Sequence, residues 1–203
     1  MSLVIKNIAY DYEDKNILKN ISFSISKGEI ISLVAPSGYG KTTLAQIIAG
    51  MIHPKFGDII INGKNLTDYN GFLPVQLIHQ HPEKSINPSW KVGKILNEGW
   101  EVSPTIKQKL GIKEYWLDKW PNELSGGELQ RVCLARAISP KTEYLIADEI
   151  TSMLDAISQV ELLTFLREKV KDRNLGILFI SHDRELVNLI SNDVIDLETI
   201  NGI

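Results

Sequence analysis

Residues 30–43 read Ile-Ile-Ser-Leu-Val-Ala-Pro-Ser-Gly-Tyr-Gly-Lys-Thr-Thr, and this stretch decides the fold. Its first part, Ile30–Val34, is almost continuously apolar, as expected of a strand that is buried on both faces. A helical pattern follows at 42–50. Between the two, Gly38 and Gly40 allow the backbone to curl so that successive N–H groups point inward. The order of strand, glycine-rich loop and helix predicts a loop that binds phosphate groups.

The side chains of this loop fit nucleotide chemistry. Lys41 can reach the β and γ phosphates, and the Thr42 hydroxyl can ligate Mg²⁺. The usual pattern begins with glycine where Ala35 stands, but the backbone N–H remains. A glycine-rich turn that only opens a helix is the alternative. The predicted nucleotide-binding residues of the loop are Ser37, Gly38, Gly40, Lys41, Thr42 and Thr43.

A second apolar strand ends in two carboxylates, in the sequence Tyr-Leu-Ile-Ala-Asp-Glu at 144–149. In a P-loop enzyme the first acid, Asp148, assists Mg²⁺, and the second, Glu149, orients or polarises the attacking water. Carboxylates that only cap the following turn are the alternative. The presence of the P-loop favours the catalytic interpretation.

Composition excludes several classes of protein. Apolar residues make up 43% and charged residues 23% of the 203 residues, which is typical of a folded globular protein and not of a disordered one. The formal net charge of -3 argues against a nucleic-acid-binding surface. The single cysteine, Cys133, excludes an internal disulfide, and we expect it to be an inert core residue. No apolar run approaches the roughly 18 residues of a membrane span, and no signal peptide is expected.

The remaining pattern divides the chain into three parts. Alternating runs at Leu3–Ile8 and Ile17–Ile25 predict antiparallel strands, and Asn62-Gly63 predicts a hairpin after 59–61. Helical patterns dominate from about 81 to 138, and strand–helix alternation then resumes, which implies a parallel sheet covered by helices. Further strands are predicted at 75–78, 144–147, 176–180 and 194–197, and further helices at 92–101, 105–110, 128–138, 155–171 and 183–190.

We therefore predict one α/β domain over residues 1–203. Its core is a P-loop NTPase fold of the RecA-like type with a parallel sheet. An N-terminal antiparallel β subdomain precedes the core, and an α-helical subdomain is inserted at about 81–138.

A third motif narrows the choice among P-loop proteins. Residues 124–131 read Leu-Ser-Gly-Gly-Glu-Leu-Gln-Arg, with Ser125 as the predicted helix N-cap and Glu128 three residues later. Such a helix start is ready to meet an anion. A simply capped helix is the alternative.

With this motif the chain resembles the ATP-binding subunit of an ATP-binding-cassette (ABC) transporter. Residues 124–130 resemble the family's signature, and the motifs occur in the family's order along essentially the whole chain. The resemblance places Gln80 as the Q-loop glutamine, His182 as the switch histidine and Ser152–Asp155 as the D-loop. It places Tyr12 where the family stacks an aromatic ring on adenine. Taken alone, each of these residues also fits an ordinary surface or core position.

The resemblance implies a mechanism that needs two subunits. Two ATP molecules are sandwiched head to tail, each between the P-loop of one subunit and the signature residues Ser125, Gly126 and Gly127 of the other. Glu149 is then the catalytic base, and His182 holds the γ-phosphate and the water. Gln80 contacts Mg²⁺ together with Thr42 and Asp148, and Asp155 couples the two sites.

The segment after Gln80 resembles the importers of oligopeptides, dipeptides and nickel or metal chelates. The implied function is ATP hydrolysis that drives uptake, with ATP and Mg²⁺ as cofactors. The implied partners are two transmembrane permease subunits, a second ABC ATPase or a second copy, and indirectly an extracytoplasmic solute-binding protein. No nucleic-acid partner is expected. The implied location is the cytoplasmic face of the cell membrane.

Some alternatives stay open at this point. The alternative functions are a soluble ABC ATPase without a transporter, an exporter subunit, and a non-enzymatic nucleotide-binding regulatory module, against which Glu149 and His182 argue. His79 and His81 flank Gln80 at strand spacing and would lie on one face, so they are a weak candidate for a metal site. The family pattern implies a hairpin and a further tail after the last strand, whereas this sequence ends at 203, which makes self-association less expected.

Overall fold

The apolar run at 30–34 forms a strand inside a five-stranded parallel sheet. The computed structural model describes residues 1–13 and 15–201, so residues 14, 202 and 203 of the predicted domain lie outside the described residues. The parallel strands are β3 (Ile30–Val34), β6 (Val75–Ile78), β7 (Tyr144–Asp148), β8 (Gly176–Ile180) and β9 (Asp193–Asp196). They lie side by side in the order β6-β7-β8-β3-β9.

Both faces of the parallel sheet are covered, which explains its continuous apolar strands. Successive residues point to opposite faces, so Leu145 and Ala147 join one buried cluster while Tyr144 and Ile146 join the other. The first cluster lies among the helices that follow β6 and β7, and the second includes the helix at Lys41–Ile48 and the antiparallel strands.

The predicted antiparallel strands form a separate four-stranded sheet, in the order β2-β1-β4-β5. Its members are β1 (Ser2–Tyr12), β2 (Lys15–Ser26), β4 (Phe56–Ile61) and β5 (Lys64–Asn65). Strands β4 and β5 pair through the turn at Asn62-Gly63, as the sequence predicts, and Asn62 has the positive φ of 52° that such a turn needs.

Seven α-helices complete the part of the chain that the structure describes. They are α1 (Lys41–Ile48), α2 (Val92–Leu96), α3 (Pro104–Lys109), α4 (Gly126–Ala137), α5 (Ala156–Arg173), α6 (Arg184–Ile190) and α7 (Leu197–Asn201). Helices α2, α3 and α4 fall in the predicted insertion. Helix α2 is shorter than the predicted 92–101, because the Asn97 side chain bonds the Gly93 carbonyl and the Val102 N–H and so ends the helix.

A short helix follows the last strand of the parallel sheet. After β9 the backbone forms helix α7, and Asn201 binds strand β2 with both ends of its amide. Its Oδ1 accepts from the Lys19 N–H at 2.7 Å, and its Nδ2 donates to the Ile17 carbonyl at 2.9 Å. Backbone groups of β2 are thus paired by a side chain of α7.

None of the helices within 1–13 and 15–201 is both long enough and apolar enough to cross a membrane.

Candidate nucleotide site

The loop between β3 and α1 has the backbone geometry that phosphate binding requires. Gly38 and Gly40 have φ of 85° and 88°, the left-handed region that glycine adopts without strain. At Gly40 the close approach of β2 also matters, since a Cβ there would lie 2.8 Å from Ile17 Cγ2. The sequence therefore places glycine at the two positions of the loop where positive φ occurs.

Lys41 begins α1 and is buried, although it carries a charge. Its Nζ donates to the carbonyl oxygens of Ala35 at 2.7 Å and Pro36 at 2.9 Å. Ala35 is itself buried in the core, so the methyl group that replaces the usual glycine hydrogen is accommodated there. The loop thus holds the ammonium group against its own backbone at the mouth of the site.

Sheet topology brings the other candidate residues to this loop. Gln80 follows β6, Glu149 follows β7 and His182 lies just beyond β8, while the loop itself follows β3. Because parallel strands end at the same edge of a sheet, four separate segments meet there. A cavity of about 310 Å³ at this edge is lined by Ile17, Ser37, Gly38, Gly40, Lys41, Thr42, Thr43, Gln80 and Glu149.

Glu149 lies between the two other predicted catalytic side chains. Gln80 Nε2 donates to its Oε2 at 2.9 Å, and His182 Nδ1 lies 3.4 Å from its Oε1. The Glu149 side chain is 16% exposed and the His182 side chain 68% exposed, so the histidine stands at the solvent side. Glu149 also has a φ of 48°, a strained value for a non-glycine residue, and its N–H donates to the Ile180 carbonyl at 2.9 Å.

Asp148 is the last residue of β7, next to Glu149 in the chain, and is only 2% exposed. Burial raises the pKa of its carboxyl group, and the neighbouring charge of Glu149 acts in the same direction. A hydrogen bond with Thr42 and the positive charge of Lys41 oppose this rise without cancelling it. The result is a buried acidic group with too little positive charge around it.

This arrangement fits Mg²⁺, the ion that a nucleotide would bring. Thr42, Asp148 and Gln80 supply oxygen atoms, which hard cations prefer. Mg²⁺ is usually held by one or two carboxylates together with substrate phosphates, so one buried carboxylate beside a phosphate loop is an adequate donor set.

The signature residues lie elsewhere on the chain. Ser125 caps α4: its Oγ accepts from the Glu128 N–H at 3.3 Å, and Glu128 Oε2 accepts from the Ser125 N–H at 2.8 Å. Ser125 and Gly126 are exposed. They line a separate cavity of about 710 Å³, together with Gly111, Lys113, Trp116, Gly127, Glu128, Arg131, Met153, Leu154, Asp155, Ser158 and Glu161. One chain therefore does not bring the signature to its own P-loop.

The signature glycines make room for the D-loop. A Cβ on Gly126 would lie 2.8 Å from Met153 Sδ, and one on Gly127 would lie 2.8 Å from Leu154 Cδ2. Asp155 then caps α5, and its Oδ1 accepts from the Ser158 N–H at 3.0 Å. The predicted signature and the predicted D-loop are thus in direct contact.

One prediction concerns a residue outside these contacts. Tyr12 ends β1 and is 65% exposed, and it is not among the residues that line the 310 Å³ cavity. Ile17 does line that cavity, and sequence analysis missed it, because its approach to Gly40 depends on how two sheets pack together. A ring at Tyr12 remains free to stack on a ligand, and its role stays a prediction.

The weak metal candidate at His79 and His81 gains no further ligands. Among the described residues no group of three or more histidine, cysteine, aspartate or glutamate side chains is close enough to hold a metal ion. His81 Nδ1 lies 3.3 Å from Glu83 Oε1. Burial lowers the pKa of His79, and the positive charges of Arg136 and Lys84 lower it further. Cys133 is buried, and burial raises the pKa of its thiol, as expected of an inert core residue.

Comparison with known proteins gives one family. The model of a family described as "ABC transporter" matches residues 18–152. The nickel import ATP-binding protein NikE of Rhodospirillum rubrum is 31% identical over 202 residues, which cover 91% of this chain and 73% of that protein. The oligopeptide transport ATP-binding protein OppF of Bacillus subtilis is 32% identical over 197 residues, which cover 86% of this chain and 64% of that protein.

Solved structures show the same fold. A dimeric ATP-binding cassette in a post-hydrolysis state, bound to ADP and phosphate, has a TM-score of 0.83 at 21% identity, over 97% of this chain and 94% of that one. An ATP-binding subunit of an ABC transporter has a TM-score of 0.84 at 23% identity, over 97% of this chain and 85% of that one.

Proposed function

Since this chain belongs to the ABC transporter family, we propose that it is the ATP-hydrolysing subunit of an importer that takes up a peptide or a nickel or other metal chelate. The predictions of the family and of the P-loop α/β fold are confirmed. The observation that carries the proposal is the meeting of Gln80, Glu149 and the P-loop around one cavity at the edge of the sheet.

The P-loop binds the triphosphate in this proposal. The loop residues Ser37, Gly38, Gly40 and Thr43 surround the cavity, and Lys41 supplies the positive charge. When phosphate oxygens arrive, the Lys41 ammonium can turn toward them from the carbonyls that it now contacts. Tyr12 stacks on the adenine ring.

Thr42, Asp148 and Gln80 would hold Mg²⁺. When bound, the ion would supply positive charge that offsets the negative charge developing on the γ-phosphate. In the free chain the charged form of the buried Asp148 carboxyl is destabilised, because too little positive charge surrounds it. A bound cation would relieve this destabilisation, and that relief would favour binding of the cation.

Glu149 accepts a proton from the attacking water. Its carboxylate is already anchored on one oxygen by Gln80 and faced by His182 on the other. These contacts limit the positions that the carboxylate can adopt, which is what a base must have to orient a water. His182, at the solvent side, is placed to contact both the water and the γ-phosphate.

The second half of each site comes from another subunit. Ser125 and Gly126 are exposed at the start of α4, and the cavity that they line with Gly127 contains no residue of the P-loop, so the signature is available to a second copy or to a different ABC ATPase. Closure of such a pair on ATP, and its opening after hydrolysis, would drive two transmembrane permease subunits. The chain would then act at the cytoplasmic face of the cell membrane, with a solute-binding protein delivering the solute from outside.

The test is purification of the tagged chain from detergent-solubilised membranes of its own cells. We expect two integral membrane subunits to copurify and the complex to release phosphate from MgATP. A chain that hydrolyses ATP but comes only from the soluble fraction, without membrane subunits, would support the soluble ABC ATPase instead. Absence of hydrolysis in the complete complex would contradict the proposal.

A further inference from the structure

Arg131 connects three helices next to the signature. It lies on α4, and its Nη1 donates to the Leu110 carbonyl at the end of α3 at 3.1 Å. Its Nη2 donates to Ser158 Oγ at 2.9 Å and to Glu161 Oε2 at 3.1 Å, both on α5. The side chain is 14% exposed, so these bonds are shielded in part from water. Such a planar group with several fixed donors holds its partners in a defined geometry.

The Ser158 hydroxyl extends this connection to Asp155. Ser158 Oγ lies 2.9 Å from Asp155 Oδ2, and the Ser158 N–H donates to Asp155 Oδ1. A guanidinium group only donates hydrogen bonds, so Arg131 must donate to the hydroxyl oxygen. The single hydroxyl proton is then left for the carboxylate. The direction of both bonds is fixed by chemistry: from Arg131 to Ser158, and from Ser158 to Asp155.

The Ser158 hydroxyl completes a second connection between the signature and the D-loop. The first connection is apolar, where Met153 and Leu154 pack on Gly126 and Gly127. The polar one runs from the signature helix through Arg131 and Ser158 to Asp155. The hydrogen bonds from the backbone and the side chain of Ser158 hold the pKa of the Asp155 carboxyl below its ordinary value, so the carboxyl stays charged and keeps both bonds.

We propose that Ser158 is a positioning residue that, together with Arg131, fixes Asp155 relative to the signature so that the two loops move as one unit. This rests on the proposed function, in which Asp155 couples the two ATP sites of a pair. A ligand that engages Ser125, Gly126 and Gly127 then shifts Asp155 with them, and the neighbouring site senses that movement.

The substitution Ser158→Ala separates this role from helix capping. Alanine keeps the backbone N–H that donates to Asp155, so α5 keeps its cap, while the link to Arg131 is lost. Ser158→Thr retains a hydroxyl and should restore the link. The matched control is Thr164→Ala, further along α5, where an exposed hydroxyl donates only to the Val160 carbonyl of the same helix.

The first measurement is amide hydrogen exchange of the full nucleotide-free chain. We expect amides at 152–158 to exchange about tenfold faster in Ser158→Ala, the size expected for a lost hydrogen bond to a charged group. Ser158→Thr and Thr164→Ala should match the wild type. Unchanged exchange in Ser158→Ala, or equal acceleration in Ser158→Thr, would overturn the link.

The second measurement is ATP hydrolysis by the complete complex. We expect Ser158→Ala to lower kcat about tenfold with KM for ATP nearly unchanged, because a displaced group reduces turnover more than binding. Ser158→Thr should restore kcat, and Thr164→Ala should not change it. Faster exchange with an unchanged kcat would overturn the positioning role. If the wild-type complex does not hydrolyse ATP, the proposed function fails, whereas the exchange experiment still decides whether Ser158 makes the link.

Discussion

The two helix starts that this chain offers to phosphate differ in how complete they are. At α1, the loop, Lys41, Gln80 and Glu149 line one cavity, in which Lys41 donates to the Ala35 carbonyl and Gln80 donates to Glu149. At α4, Ser125 and Gly126 are exposed, and the wide cavity beside them contains no residue of the P-loop. Both regions present N–H groups at a helix start, but only the first places them beside Lys41, Gln80 and Glu149. This difference agrees with the proposed function, in which the first region binds the triphosphate and the second completes the site of another subunit.

The largest effect at the first of these two regions is expected from Glu149→Gln. The amide keeps the size of the side chain and can still contact Gln80, but it cannot accept a proton. We expect kcat of the complete complex to fall by about 10²–10⁴-fold, the range for loss of a general base, while ATP binding persists. The measurement is phosphate release beside equilibrium binding of ATP. Hydrolysis near the wild-type rate would show that Glu149 is not the base.

The next largest effect is expected from Lys41→Ala, which removes the positive charge of the P-loop region. Loss of a charge-assisted contact to phosphate should weaken ATP binding about 10- to 100-fold. Isothermal titration of the isolated chain measures this directly. Lys141→Ala, at an exposed lysine, is the control and should bind ATP like the wild type. If Lys41→Ala and Lys141→Ala bound ATP with equal affinity, Lys41 would not be a phosphate-binding residue.

A smaller effect should follow from Gly127→Ala, which alters only the signature region at the start of α4. The added Cβ would lie 2.8 Å from Leu154 Cδ2 and would displace the Leu154 side chain where the D-loop packs on the signature. We expect hydrolysis by the complete complex to fall about tenfold, while the isolated chain binds ATP with unchanged affinity. Gly99→Ala is the control, because a Cβ there meets nothing within 4 Å. A loss of ATP affinity in the isolated Gly127→Ala chain would contradict the division into two regions.

The smallest effect is expected from Asp148→Asn, measured by thermal unfolding at pH 7 without nucleotide. Burial raises the pKa of this carboxyl, so its charged form costs stability at neutral pH, and the cost disappears as pH falls through the raised pKa. The neutral amide should therefore raise Tm by roughly 2–4 °C, the shift that about 1 kcal/mol gives at this chain length. The same variant should lose the additional stabilisation that MgATP gives the wild type. A lower Tm without nucleotide would show that the charge stabilises the free chain.

Local patterns predicted the strands and the P-loop because each is encoded in a few neighbouring residues. Ile30–Val34 and Gly176–Ile180 occur where their apolar runs predict them. The order β6-β7-β8-β3-β9 depends on long-range pairing, which no single segment encodes. Resemblance to a family, rather than residue chemistry, singled out Gln80 and His182, and the structure then placed both beside Glu149.

The contacts that the sequence did not predict are those between distant segments. Ile17 approaches Gly40 only because the antiparallel sheet packs on the parallel one. Ser158 is an ordinary helix serine until Arg131, 27 positions earlier, is placed against it. Helix α7 has a similar origin, since it is stabilised by Asn201 binding β2 at a sequence separation of more than 180 residues.

Ser125 uses one oxygen atom for two purposes. The lone pair that accepts from the Glu128 N–H starts α4, and the hydroxyl proton stays available for an outside acceptor. Aspartate or asparagine would start the helix equally well, but aspartate would present a negative charge where a phosphate should arrive. A library of variants at this position, screened for soluble expression, would therefore keep residues that a screen for solute uptake rejects. The variants that pass the screen for soluble expression but fail the screen for solute uptake would show which residues at position 125 are compatible with folding but not with function.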